Sequence, residues 1–257
     1  MSKCDVRLLG EFQVSIDGEM VRFPTRKAES LFAYIVLNAG KSVPRGRLAG
    51  TLWPDVEEQR ARRNLSTTLW RVRTAAKVTH GIDIISAPDS LVLGLKNADV
   101  DVTRFLELIK QAEVSTGSDK VRALQDAEAL YRGDLLEGCE DEWCEGERAH
   151  LRAFYVRLLQ SLVESYKTSG RYRHAIEVAH RVLNREPLDE DTHRELMLLY
   201  HLVGDRVAAL TSVREPQDCA PAGARPQACA PYNRALGIHP ITRSFHSVCP
   251  LALFGRR

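Results

Sequence analysis

The chain lacks any run of about 18 apolar residues, so no membrane-spanning helix is expected. Its opening stretch, MSKCDVRLLG, holds no apolar segment of the kind a secretory signal needs, and a cytoplasmic location is the default expectation. The six cysteines (Cys4, Cys139, Cys144, Cys219, Cys229 and Cys249) form no CxxC pair and no zinc-type spacing. Cys139 and Cys144, in CEDEWC, read as isolated reduced thiols rather than metal ligands. A phosphate-binding loop is also missing: NAGKS at 38–42 would need Gly where Ile35 stands, and it follows a helical pattern rather than a strand. His80, His150, His174, His180, His193 and His201 accompany no nucleophile motif and no paired carboxylates at a useful spacing. The expectation is therefore a non-enzyme without cofactor or metal.

Acidic residues are missing from one segment in particular. No Asp or Glu lies between Glu58 and Asp83, while Arg60, Arg62, Arg63, Arg71, Arg73 and Lys77 do. The overall net charge of +2 conceals a division. Residues 1–98 carry 15 Lys/Arg against 10 Asp/Glu, and residues 99–210 carry 15 against 22. A basic front suits a polyanionic partner, and an acidic middle does not.

The front reads as strands, three helices and a hairpin. Val14 and Ile16 alternate with polar residues ahead of the turn signal Asp17-Gly18. Thr25 is a candidate N-cap for a helix with Ala28, Leu31, Phe32 and Ile35 on one face, ended by Gly40. A short helix over Arg45–Leu52 stops at Pro54, and Asp55 can cap a third helix over about 56–78. IDIIS and LVLGL flank APDS as a β-hairpin.

On the third helix, Ala61, Leu65, Leu69, Val72 and Ala76 form a buried stripe at 100° per residue. Arg60, Arg63, Thr67, Trp70, Arg71 and Thr74 lie opposite, with Asn64 and Thr68 toward one flank and Arg73 toward the other. One reading is a solvated basic face, although such faces usually mix signs at i,i+4. The other is a recognition helix for double-stranded DNA. Arg reads guanine and binds phosphate, Asn reads adenine, and the Thr methyl packs on thymine. Three helices followed by a hairpin make a winged helix-turn-helix, whose third helix enters the major groove. Arg45 and Arg47 would then open the second helix, where free N–H groups also bind phosphate. The DNA-contacting set so defined is Arg45, Arg47, Arg60, Arg63, Asn64, Thr67, Thr68, Arg71, Arg73 and Thr74. Trp70 faces either DNA or the preceding strands, Trp53 suits packing between the second helix and the wing, and Trp143 suits domain packing.

From Asp99 onward the pattern is helical. Leu162 and Leu196, Tyr166 and Tyr200, Gly170 and Gly204, and Ala175 and Ala209 all stand 34 residues apart, with Ile176 matched by Leu210. That period, with a Gly turn and small Ala contacts, is that of a tetratricopeptide-like repeat. Tyr131 marks a degenerate earlier copy. The acidic run LEGCEDEWCEGE reads as the solvated start of a helix, with a partner-binding patch as the alternative. After Leu210 the period fails, and Pro216 falls where Val182 stands one repeat earlier. Residues 211–257 read either as the product of a shifted reading frame or as a disordered tail. The expected fold is mainly α: a winged helix over 5–96, a helical repeat domain over 99–210 and an aberrant tail.

The segments VRLLGEFQVSIDG, RKAESLFAYIVLNAG, LAGTLWPD and ARRNLSTTLWRVR together resemble the OmpR-type winged helix of SARP transcriptional activators. DVDVTRFLEL, LYRGDLLEG and EWCEGERAHLRAFYVRLLQSLVESY resemble the bacterial transcriptional activator domain that follows it. The resemblance implies a regulator that binds direct repeats near promoters, recruits RNA polymerase and often dimerises through its helical domain. With the winged helix starting near residue 5, control by aspartyl phosphorylation of a preceding receiver domain is not expected. The chain departs from the family's closing ELG-x-x-P motif, having RALGIHP at 234–240. Two other classes remain open at this point: a repeat scaffold that binds protein without DNA, and a fragment of a signalling ATPase.

Overall fold

The computed structural model describes residues 4–76, 82–86, 89–95, 98–205 and 207–208. The expectations for 211–257, and the repeat matches at Ala209 and Leu210, lie outside the described residues.

The chain opens with β1 (Cys4–Arg7), β2 (Gln13–Ile16) and β3 (Glu19–Met20), antiparallel neighbours joined at the Asp17-Gly18 turn. Both turn residues have positive φ, 49° and 89°, the left-handed conformation that a tight hairpin requires. α1 (Arg26–Leu37) begins at Thr25, whose hydroxyl accepts from the Ala28 N–H at 3.2 Å, as expected of an N-cap. Its C-terminal cap is Asn38 rather than Gly40: the Asn38 side chain donates to the Tyr34 carbonyl at 2.9 Å, and Gly40 turns the chain beyond it at φ 78°. β4 (Val43–Pro44) leads into α2 (Arg45–Leu52), and α3 (Glu58–Ala76) follows. α3 starts three residues after Asp55, so the expected cap falls short of the helix. β5 (Ile82–Ser86) and β6 (Ser90–Leu95) form the expected hairpin in antiparallel register, Ile84 opposite Leu93. β4 adds a third strand, Val43 pairing with Leu91. This attaches the hairpin to the start of α2, where the Arg45 N–H donates to the Asp89 carbonyl at 2.8 Å.

β7 (Ala98–Val100) straddles the expected boundary between the two halves and returns to the first sheet, parallel to β1, giving the order β3-β2-β1-β7. The helical half then runs α4 (Asp101–Val114), α5 (Gly117–Leu130), α6 (Glu142–Thr168), α7 (Tyr172–Arg185) and α8 (Glu190–Val203), each packed on the next. Leu162 and Leu196 are fully buried at equivalent places, and Gly170 and Gly204 close their helices at φ 73° and 85°. Leu162 in α6 and Leu196 in α8 thus hold the same place relative to the glycine that follows each helix. Tyr131 ends α5 and stacks on Tyr155 with ring centroids 4.1 Å apart.

The halves are spliced through backbone as well as side chains. Asp101 accepts from the Leu8 and Leu9 N–H groups at 2.8 Å each and from Val102 at 2.7 Å, which ties the start of α4 to the end of β1. Burial nevertheless pushes its carboxyl above the ordinary value, against the pull of those three donors. The segment YRGDLLEG lies along the chain after β1: the Gly10 N–H donates to Asp134, and the Leu136 and Glu137 N–H groups donate to Leu8 and Gly10. Gly133 permits this approach, since a Cβ there would stand 3.1 Å from the Gly10 Cα.

Candidate nucleic-acid interface

α3 lies against α1 and α2 and offers one face outward. Ala61, Leu65, Leu69 and Val72 of the predicted stripe are buried, as 3.6-residue periodicity requires. Arg60, Arg63, Thr67, Trp70, Arg71 and Thr74 are exposed, while Asn64 and Arg73 are half-buried at its margins. Thr68 departs from the predicted set. It is 4% exposed and belongs to the packed side, where it cannot reach a groove. Helical phase put it on a flank of the outward face, but its position beside Leu69 and Leu65 places it inside. Trp70 is 65% exposed, so it does not pack on the preceding strands.

Like-sign crowding is the main electrostatic feature of this face. Arg62 finds Glu58 one turn back at 2.7 Å, using the last acid before the basic stretch. Among the described residues, Arg47, Arg60, Arg63 and Arg71 have no ion pair. The Thr74 hydroxyl donates to the Trp70 carbonyl at 2.9 Å and Ser66 to the Arg62 carbonyl at 3.0 Å, so both hydroxyls serve the helix backbone. At the start of α2, Arg47 is exposed and Arg45 half-buried. Gly46 between them faces the Arg62 guanidinium, which would lie 3.4 Å from an added Cβ. The predicted residues of α2 and α3 therefore belong to adjoining helices, with the β5–β6 hairpin bonded beside α2.

The second feature was not legible in the sequence. Asp141, inside the acidic run expected to be a solvated helix start, is a junction residue only 18% exposed. It receives the Lys27 ammonium at 2.6 Å and a short hydrogen bond from the Ser30 hydroxyl, both from α1. The Trp143 indole donates to Ser30 at 3.1 Å and packs edge-on against Tyr34 with ring centroids 5.1 Å apart. Burial opposes the charge on Asp141, but hydrogen bonds from Lys27 and Ser30 outweigh it and hold the carboxyl below its usual range. Trp143 is thus a domain-packing residue, as its place in the sequence suggested. No local pattern announces Asp141, because its partners stand more than a hundred residues earlier.

Cys139 and Cys144 are not isolated. Cys144 donates to Cys139 with the sulfurs 3.4 Å apart. That hydrogen bond, with help from Arg148 and against desolvation, draws the Cys139 thiol down to about 6, and the same bond plus burial drives Cys144 upward. Arg148 bonds the Leu135 carbonyl at 2.7 Å, the Leu136 carbonyl at 2.8 Å and, at short range, the Cys139 carbonyl, fixing the loop before α6. No cluster of three or more metal-ligating side chains occurs among the described residues, and no described helix is long and apolar enough to cross a membrane.

Residues 100–219 match the bacterial transcriptional activator domain, a range that opens at the end of β7 and runs past the break at Leu210. That match covers a little under half of the chain, and the relatives to which the chain is similar are named as regulators. The chain is 23% identical over 207 residues to the regulatory protein AfsR of Streptomyces coelicolor, covering 79% of this chain and 21% of that one. It is 24% identical to the transcriptional regulator RedD of the same organism, covering 82% and 63%, and 24% identical to the regulatory protein DnrI of Streptomyces peucetius, covering 80% of each. The chain thus spans about a fifth of AfsR and under two thirds of RedD. A structure of Mycobacterium tuberculosis EmbR, solved with a low-affinity phosphopeptide, shares the fold with a TM-score of 0.73 at 22% identity, over 94% of this chain and 67% of that one.

Proposed function

We propose that the chain is a sequence-specific, DNA-binding transcriptional activator whose first part is an OmpR-type winged helix-turn-helix and whose second is a tetratricopeptide-like activator domain. The observation that carries this reading is the outward face of α3, where Arg60, Arg63 and Arg71 are exposed without acidic partners among the described residues. Laid in a major groove, this face presents Arg63, Thr67 and Arg71 to base edges, with Arg60, Asn64, Arg73 and Thr74 around them. Arg45 and Arg47 hold a phosphate at the start of α2, and the β5–β6 wing touches the flank. Trp70 joins the contact surface. Thr68 leaves the reader set and acts in packing.

The relatives are named as regulators, which supports a regulatory role; promoter direct repeats as targets, RNA polymerase as the recruited partner and a homodimer through the helical domain complete the proposal as what the family resemblance implies. On this reading the protein is not an enzyme, carries no cofactor and works in the cytoplasm. A mobility-shift titration with promoter fragments at several salt concentrations tests it. Expected is retarded DNA whose affinity falls steeply as salt rises. Equal binding of promoter and random fragments would reject sequence specificity, and no binding to either would leave the repeat-scaffold reading in its place.

A further inference from the structure

We propose that Cys139 and Cys144 are a modification site: a dithiol at the junction of the two halves that a hydroperoxide closes to an intramolecular disulfide. The sulfurs stand 3.4 Å apart, and a disulfide needs about 2.05 Å, a gap that small side-chain rotations can span. Both backbones are already held. The Cys139 N–H donates to the Leu136 carbonyl at 3.0 Å, its own carbonyl accepts from Arg148, and the Cys144 N–H donates to the Asp141 carbonyl at 2.9 Å.

Access differs between the two thiols and orders the chemistry. Cys139 is half-buried and lines a cleft of about 310 Å³ with Arg26, Lys27 and Ser30. Cys144 is fully buried. Cys139, its proton released to solvent, attacks the hydroperoxide: an S–O bond forms, the O–O bond breaks, and the alcohol or water leaves after taking a proton. The sulfur is oxidised to sulfenic acid and the peroxide oxygen is reduced. Cys144 then gives up its proton and attacks the Cys139 sulfur. The S–S bond forms, the S–O bond breaks, and hydroxide leaves as water. Two thiols and one hydroperoxide become one disulfide, one alcohol and one water. The ring closes around Asp141, the residue that ties α6 to Lys27 and Ser30 of α1. Cys4 is an internal control, buried and with its thiol pushed up to about 11 by desolvation.

The test treats the folded full-length chain with hydrogen peroxide, quenches, denatures, alkylates and digests with trypsin. Both cysteines fall in the single fragment 133–148. Expected is that this fragment loses both alkylation marks and weighs two hydrogens less, reversibly with dithiothreitol, while Cys4 stays alkylated. Formation should be at least about tenfold faster than in the urea-unfolded chain, because the fold holds the thiols together. Cys144→Ser should stop the reaction at a Cys139 sulfenic acid that dimedone traps. Full alkylation of 133–148, over-oxidation of Cys139 without a disulfide, an interchain bond or an equal rate in the unfolded chain would each overturn the proposal.

Discussion

Arg63 and Arg71 carry the proposed base contacts, and removing either side chain removes a charged fork without touching the packed side of α3. Arg63→Ala or Arg71→Ala should weaken promoter binding by about 1–3 kcal/mol and leave the melting temperature in place. Fluorescence anisotropy against the native operator checks this, and unchanged affinity at physiological salt would remove that residue from the interface. Thr68→Val should leave affinity alone, since the side chain is enclosed. Gly133→Ala is a test of the splice: its Cβ would press on the Gly10 backbone and on the end of Glu137, and overpacking of this kind costs about 1–3 kcal/mol. A urea midpoint equal to wild type would show that the two segments are free to separate. The arginines were legible at this scale because exposure follows directly from helical phase. Thr68 was not, because a flank position turns inside or outside according to which helix lies beside it.

Helices were the most legible elements. Their apolar period of 3.6 is a local property, and all eight described helices lie where that period runs. β4 and β7 were not legible, being two and three residues long and paired with distant strands. Capping shows the same contrast. Thr25 works as a cap where Asp55 does not, since a cap depends on where tertiary packing lets the helix begin. Asp189 accepts from the Asp191 N–H at 3.2 Å and the Thr192 hydroxyl at 2.8 Å at the start of α8, and from Gln160 of α6 at 2.9 Å. Asp189→Ala should cost about 1 kcal/mol or somewhat more in chemical denaturation. No change in the midpoint would show that α8 needs neither the cap nor the tie to α6.

Across the whole molecule, the Lys27–Asp141–Ser30 cluster ties α1, which backs the proposed reader helix, to the start of α6. The Asp141 carboxyl is held lower in the folded state than in the unfolded chain, where a carboxylate titrates near about 4. Its contribution is therefore fully present above that value and is lost as pH falls through the folded one. Melting curves across the acid range should show wild type more stable than Asp141→Asn at neutral pH, with the two converging in acid. Curves that stay parallel to the acid end would dissociate Asp141 from the acid response. Salt acts at the same scale: with several exposed arginines on α2 and α3, the logarithm of affinity should fall with the logarithm of salt with a slope on the order of −3 to −6, at about −0.9 per phosphate neutralised. A flat salt response would mean the basic face does not meet phosphate.

By itself the sequence determined the order of the helices and of the β5–β6 hairpin, the inward stripe and the acid-free outward face of α3, and the 34-residue spacing of Leu162 from Leu196 and of Gly170 from Gly204. All of these follow from periodicity, turn chemistry and charge counted along neighbouring residues. The tertiary structure alone decided that Thr68 is inside, that the acidic run supplies the junction carboxylate Asp141, that β7 returns to β1, and that Cys139 and Cys144 meet. The physical reason is shared: each depends on which distant groups share a low-dielectric space or a hydrogen bond, and no local repeat encodes that.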